Sequence, residues 1–164
     1  MSSSTPRIAL LLLLAASPLP AAAATAEVEF VKPESFTDTG RRWDERERAA
    51  NLDALRRHLV AAAAQRLPAG ESLAVSVTDV DLAGSYEPWQ MAHNEIRIVK
   101  DIYPPRIELH FRLARADGSV VKEGDRKLRD SAFLMGGTSP HSADSLRYEK
   151  AMLDDWLDRE FKRP

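Results

Sequence analysis

Short stretches of alternating apolar and polar residues predict a β-sheet. The clearest stretch is 106–114, where Ile107, Leu109, Phe111 and Leu113 alternate with charged or polar residues. Successive side chains of a strand point to opposite faces, so this pattern predicts a sheet with one buried face. The other predicted strands are 27–32, 72–82, 95–100 and 120–128.

Two longer segments, 43–67 and 143–162, carry apolar residues at steps of three and four, which predicts amphipathic helices. Their apolar stripes are Leu52, Leu55, Leu59 and Ala62 in the first, and Leu146, Leu153, Trp156, Leu157 and Phe161 in the second. The predicted order is therefore β-α-β-β-β-β-α. This order predicts an α/β (α+β) fold: a two-layer sandwich whose mixed sheet has both helices on one face.

The strand predicted at 72–82 changes phase within its length. Leu73, Val75 and Val77 share one face, but the same spacing then places Asp79 and Asp81 on that face. Two explanations are open at this point. Either a β-bulge shifts the alternation by one residue, or the strand leaves the core there.

The first 26 residues read as a cleavable signal peptide. Arg7 precedes an apolar run at 8–16, and small residues follow two prolines. The run is too short to cross a bilayer, which takes roughly 20 residues. Cleavage is predicted after Ala26, with Ala24 as the alternative. One domain at 27–164 would remain, and we expect it to be periplasmic or secreted.

Composition narrows the function of this domain. The whole chain has a net charge of −2, so nothing favours nucleic acid as a partner. It has no cysteine, which excludes disulfides and thiol catalysis. No second apolar stretch could anchor the mature chain in a membrane, and no phosphate loop, nucleophile elbow or zinc-protease motif occurs. We therefore predict no cofactor.

Acidic residues and aromatic loop residues provide the candidate sites. Asp79 and Asp81 lie two residues apart on a strand, so their carboxylates point to the same side and could hold a hard cation with Asp101. Alternatively, they accept hydrogen bonds from loop amides or pair with a basic residue. Trp89 and Tyr103 lie beside prolines, where they either cap the sheet or anchor a recognition surface.

The position of Lys100, Asp101 and Tyr103 relative to Asp81 depends on the loop between the strands. If 95–100 pairs antiparallel with 72–82, Tyr103 lies at the opposite edge of the sheet. A parallel arrangement, or a loop that folds back, would bring the two groups together. The sequence leaves these alternatives open.

Several segments together resemble an uncharacterised bacterial family, domain of unknown function 3016. They are Val28-Glu29-Phe30, Thr78-Asp79-Val80-Asp81-Leu82-Ala83-Gly84, Glu87-Pro88-Trp89, Val99-Lys100-Asp101-Ile102-Tyr103-Pro104-Pro105-Arg106-Ile107, Leu128-Arg129-Asp130 with Ala132-Phe133, and Arg147-Tyr148-Glu149-Lys150 with Leu153-Asp154-Asp155-Trp156. The resemblance implies an exported protein of Gram-negative bacteria with no assigned activity and supplies no catalytic residue.

These observations favour a non-enzymatic binding or accessory module of the cell envelope, with an envelope protein as its partner. Its predicted binding residues are Asp79, Asp81, Trp89, Lys100, Asp101 and Tyr103. The alternative is a small metal-dependent hydrolase that uses Asp79, Asp81 and Asp101. A structural protein without a discrete site is a third hypothesis.

Overall fold

A computed structural model describes residues 23–87, 96–136 and 143–161 of the chain. Its elements, in order, are β1 (Thr25–Phe30), a short 3-10 helix (Pro33–Ser35), α1 (Glu45–Arg66), β2 (Ser72–Asp81), β3 (Arg106–Ala114), β4 (Val120–Arg129) and α2 (Arg147–Phe161). In this part of the chain, no helix is long and apolar enough to span a membrane.

The four strands form one mixed sheet in the order β1-β2-β3-β4. β1 and β2 are parallel and are joined through α1, whereas β2, β3 and β4 form an antiparallel meander. The predicted α+β class, with a mixed sheet and two helices, is confirmed. The strand expected at 95–100 is the exception, because the part of it that the structure describes forms only an isolated bridge between Ser85 and Ile98.

A β-bulge in β2 explains the change of phase seen in the sequence. Val77 lies opposite Leu109 and Asp79 lies opposite Glu108, so Thr78 is an extra residue without a partner on β3. The bulge returns Val80 to the helix-covered face, where it is fully buried. It also turns Asp79 and Asp81 to the open face of the sheet.

Aromatic side chains fill the layer between the sheet and α2. Phe111 is fully buried and meets Trp156 and Phe161 edge-to-face, with ring centroids 5.7 and 5.5 Å apart. Such pairs contribute about 0.5–1.5 kcal/mol each beyond the area they bury. The inward faces predicted for β3 and α2 are confirmed.

The two ends of the sheet differ in how their strands are connected. At the end we call the turn end, Asp117-Gly118 closes the hairpin between β3 and β4, with Gly118 at a φ of 82° that favours glycine. At the opposite end, the loop end, the connections 31–44, 82–105 and 130–146 emerge together. The helix α2 begins at the loop end and finishes at the turn end.

Candidate functional site

Exposed apolar side chains are concentrated at the loop end. Among the residues that the structure describes, the large apolar side chains exposed there are Trp43, Ile96, Val99, Ile102, Leu134 and Met135. The turn end has a single counterpart, Val120. Single exposed apolar residues are ordinary, but a concentration of them in neighbouring loops is typical of an interaction surface.

Arg97 holds the loops of this end together. One terminal nitrogen, Nη1, donates to the carbonyl oxygens of Leu82, Ala83 and Gly84 at 3.4, 3.3 and 2.9 Å. The other, Nη2, lies 2.7 Å from the Asp38 Oδ1 atom. Burial disfavours the guanidinium charge, but the bond to Asp38 and its charge outweigh this and raise the Arg97 pKa.

The guanidinium also stacks on an aromatic ring. Its carbon lies 4.7 Å from the centroid of Tyr86. The Tyr86 hydroxyl in turn donates to Glu47 of α1 at 3.2 Å. Arg97 therefore links the loop 82–105 to the loop 31–44 and, through Tyr86, to the first helix.

The loop between β2 and β3 folds back on itself. The Gly84 amide donates to the Tyr103 carbonyl at 3.0 Å, and Ser85 pairs with Ile98. A side chain at position 84 would lie 2.7 Å from the Ile98 oxygen, so glycine allows this close approach. The fold-back alternative is thus the correct one, and it brings Tyr103 to the same end as Asp81.

A buried carboxylate secures the outer part of this loop. Glu87 is 2 % exposed and accepts from Lys100 Nζ at 2.5 Å and from the Tyr103 hydroxyl at 3.3 Å. The bond to Glu87 raises the pKa of Lys100. Two residues predicted as binding residues, Lys100 and Tyr103, therefore position the loop through Glu87.

Asp79 and Asp81 bind groups of the protein itself: Asp79 accepts hydrogen bonds from a loop residue, and Asp81 pairs with an arginine. Asp79 accepts from the Thr37 amide at 2.7 Å and from its hydroxyl at 2.8 Å. Asp81 lies 3.5 Å from Arg106 Nε, and burial raises its pKa although Arg106 opposes the shift. Asp101 is exposed. No group of three acidic or histidine residues in the described part of the chain could hold a metal ion.

The remaining predicted binding residue, Trp89, lies outside the described residues, and so does the surface it was expected to share with Asp81. That hypothesis stays a prediction.

Glu149 of α2 is a site residue that sequence reasoning missed. It is 1 % exposed, its Oε1 accepts from the Ala83 amide at 2.6 Å, and its Oε2 has no hydrogen-bond partner. Burial raises its pKa. The sequence did indicate that Glu149 is buried, because it lies three residues after Leu146 and four before Leu153, in line with the apolar stripe of the helix. Asp38 and Arg97 lie in loops and had no such signal.

A cleft of about 810 Å³ opens beside this network, between the loop 34–43 and Ser85-Tyr86. Trp43 lines it and is 70 % exposed. Trp43 directly precedes Asp44, the N-cap of α1, a position whose apolar side chain commonly packs onto the helix it introduces. Here the indole is mostly exposed instead, and Thr37 and Ser85 line the same cleft.

Comparison with known proteins gives a family but no function. No curated protein and no solved structure matches the chain. A family model described as Protein of unknown function (DUF3016) matches residues 24–159, nearly all of the described fold and the whole loop-end network. The resemblance seen in the sequence is therefore confirmed, and the chain belongs to this family.

Proposed function

We propose that this protein is exported to the periplasm and acts as a non-enzymatic binding module of the cell envelope, with its loop end as the recognition surface. The observation that carries the proposal is the concentration of exposed apolar side chains at that end, from Trp43 to Met135. Rigid aromatic and apolar side chains are the usual anchors of a protein–protein interface.

The charged groups at the loop end favour binding over hydrolysis. Asp38 is paired with Arg97, Asp81 with Arg106, and Glu87 with Lys100. A hydrolytic site needs groups that converge on a substrate or a metal with free coordination positions. These carboxylates instead bind the protein's own loops. The metal-dependent hydrolase with Asp79, Asp81 and Asp101 is correspondingly disfavoured.

The same ion pairs favour recognition because they fix the shape of the surface. Arg97 bonds to three backbone carbonyls and to Asp38, and Glu87 ties the loop between β2 and β3 to Lys100. A surface that is already ordered loses little conformational freedom when a partner binds. Long loops that carry exposed apolar side chains can therefore form a stable docking site.

Export rests on the sequence of the first residues. Arg7, the apolar run at 8–16 and the small residues that follow have the layout of a secretory signal. Fractionation of producing cells should place a shortened protein in the periplasm. Full-length protein in the cytoplasm would contradict this part of the proposal.

The binding surface can be tested by affinity capture from periplasmic extract with matched variants. Trp43→Ala at the loop end should weaken capture of the retained partner while leaving the melting temperature unchanged, because the indole is mostly exposed. Val120→Ala at the turn end removes an exposed apolar side chain away from the surface and should change neither.

Trp89→Ala is a second test of the surface, since Trp89 lies between β2 and β3 in the sequence, as Lys100 and Tyr103 do. It should weaken capture without unfolding the domain. Equal capture by the parent, Trp43→Ala and Trp89→Ala proteins would contradict the proposed surface, and unfolding of Trp89→Ala would place that ring in the core.

A further inference from the structure

The beginning of β1 bears on where the signal peptide is removed. Small residues stand before two peptide bonds, one after Ala24 and one after Ala26, and the sequence alone favours the second. The structure distinguishes them because the strand already begins at Thr25. A cut after Ala26 would divide an element of the folded domain.

Both residues ahead of Glu27 take part in the fold. Thr25 pairs with Ser72, and its backbone nitrogen donates to the Glu71 carbonyl at 3.1 Å. Ala26 pairs with Leu73, whereas Ala24, which like Ala26 packs against the hydrophobic core, precedes the strand and is outside its pairing with β2.

We infer that the exported chain is processed between Ala24 and Thr25, so that the mature protein begins with the first residue of β1. This inference rests on the proposed export. A signal peptidase would hydrolyse the Ala24–Thr25 peptide bond with one water molecule, leaving a carboxylate on Ala24 and an ammonium group on Thr25. That ammonium nitrogen still donates to the Glu71 carbonyl, and its charge strengthens the bond.

The alternative cut leaves a weaker edge of the sheet. β1 is an edge strand that pairs with β2 on one side, and it packs against α1. Loss of Thr25 and Ala26 would shorten it from six residues to four and remove the bond to Glu71. Processing after Ala24 retains the whole strand.

The test is the intact mass and N-terminal sequence of the periplasmic protein, made with its own signal peptide in a Gram-negative host. Mature chains from the two cuts differ by one threonine and one alanine residue. The decisive variant is Ala26→Val, because valine is too large for the position next to the cut but suits a strand. It should be processed like the parent and begin at Thr25. Ala24→Val is the matched control and should accumulate as uncleaved precursor.

The outcomes separate this inference from the export proposal. A parent chain that begins at Thr25, with normal processing of Ala26→Val, supports the inference. A periplasmic parent that begins at Glu27 or any other residue overturns it and leaves export intact, and so does precursor accumulation by Ala26→Val alone. A parent that keeps residues 1–26 in the cytoplasm overturns both proposals.

Discussion

Two glutamates on the same helix show how the ends of this molecule differ. Glu149, in the first turn of α2, lies at the loop end, where its carboxyl accepts one backbone amide and burial raises its pKa. Glu160, in the last turn, lies at the turn end and accepts from both Arg126 and Lys122. The Arg126 bond, despite partial burial, lowers the Glu160 pKa from 4.5 to about 2.

The difference teaches that the two ends are stabilised in different ways. At the turn end, a carboxylate with two cationic partners fastens α2 to β4, beside a tight hairpin. At the loop end, Glu149 has one backbone donor, and long loops display apolar side chains to solvent. The turn end is thus closed by ion pairs and a hairpin, and the loop end carries the surface that we propose binds a partner.

Both ends of the molecule are built on one hydrophobic core, and loss of a core side chain should give the largest change in stability. Phe111→Ala should lower the free energy of unfolding by about 3–5 kcal/mol, because it removes a fully buried ring that contacts Trp156 and Phe161. Urea denaturation followed by fluorescence and circular dichroism should show one shared transition at lower urea. An unchanged midpoint would contradict the assigned core.

Glu160→Gln tests the turn end. At pH 7 we expect a loss of about 2–3 kcal/mol, since the depressed pKa of Glu160 makes its charged form more stable in the folded protein, with some reduction by solvent screening. This contribution is present above pH 4.5 and is lost as the pH falls towards 2, so the two proteins should converge in acid. Asp155→Asn, an exposed position on the same helix, is the control for urea denaturation at both pH values.

Arginines at the two ends offer a direct comparison. Arg97→Ala should cost about 2 kcal/mol, because it leaves Asp38 and three backbone carbonyls without their charged donor. Arg115→Ala at the turn end should cost at most about 0.5 kcal/mol, as its side chain is exposed and its bond to the Ser119 hydroxyl is long, at 3.3 Å. Equal midpoints for the two variants in thermal denaturation would show that Arg97 does not organise the loop end.

The smallest effect concerns the pH dependence of the loop end. Because the Glu149 pKa is raised in the folded state, the folded protein binds this proton more tightly than the unfolded chain does. Its contribution to stability is therefore complete below the unfolded pKa of about 4.5 and declines as the pH rises towards the folded pKa.

Glu149→Gln keeps an oxygen for the Ala83 amide and removes the titration. Stability curves measured from pH 4 to pH 8 should show a parent protein that loses stability relative to this variant as the pH rises. A constant difference across that range would mean that Glu149 does not titrate between the folded and unfolded states.

The sequence was sufficient to predict an element where apolar residues recur with a regular period, because that period indicates which face is buried. The alternation at 106–114 and the apolar stripes of the helices predicted β3, α1, α2 and the packing of Phe111 on Trp156. It was insufficient where long-range contacts decide the structure. Nothing local distinguishes the isolated bridge at Ile98 from a full strand, because that outcome depends on the fold-back through Gly84 and Tyr103.

The candidate site was predicted in part for the same reason. The pattern singled out Asp79, Asp81, Lys100 and Tyr103, and the structure brings these four residues to one end of the sheet. Their partners could not be read from spacing, since Thr37, Glu87 and Arg106 reach them only in the folded chain. Arg97, which organises the loops, lies in the segment 95–100, whose alternation predicted a strand and gave no sign that this arginine would bind loop carbonyls.

The bulge at Thr78 has a consequence for the kinds of sequence change that this domain tolerates. Substitution of Thr78 should be mild, since its side chain is exposed and has no partner opposite it on β3. Deletion of Thr78 should also be tolerated, because Asp79, Val80 and Asp81 already lie opposite consecutive residues of β3 and would keep that pairing once the bulge is gone. Val80 would stay on the helix-covered face and Asp81 on the open face. A one-residue deletion between Ser72 and Val77 would instead exchange the two faces of the strand, so the bulge is a place where β2 can lose a residue and keep its buried face.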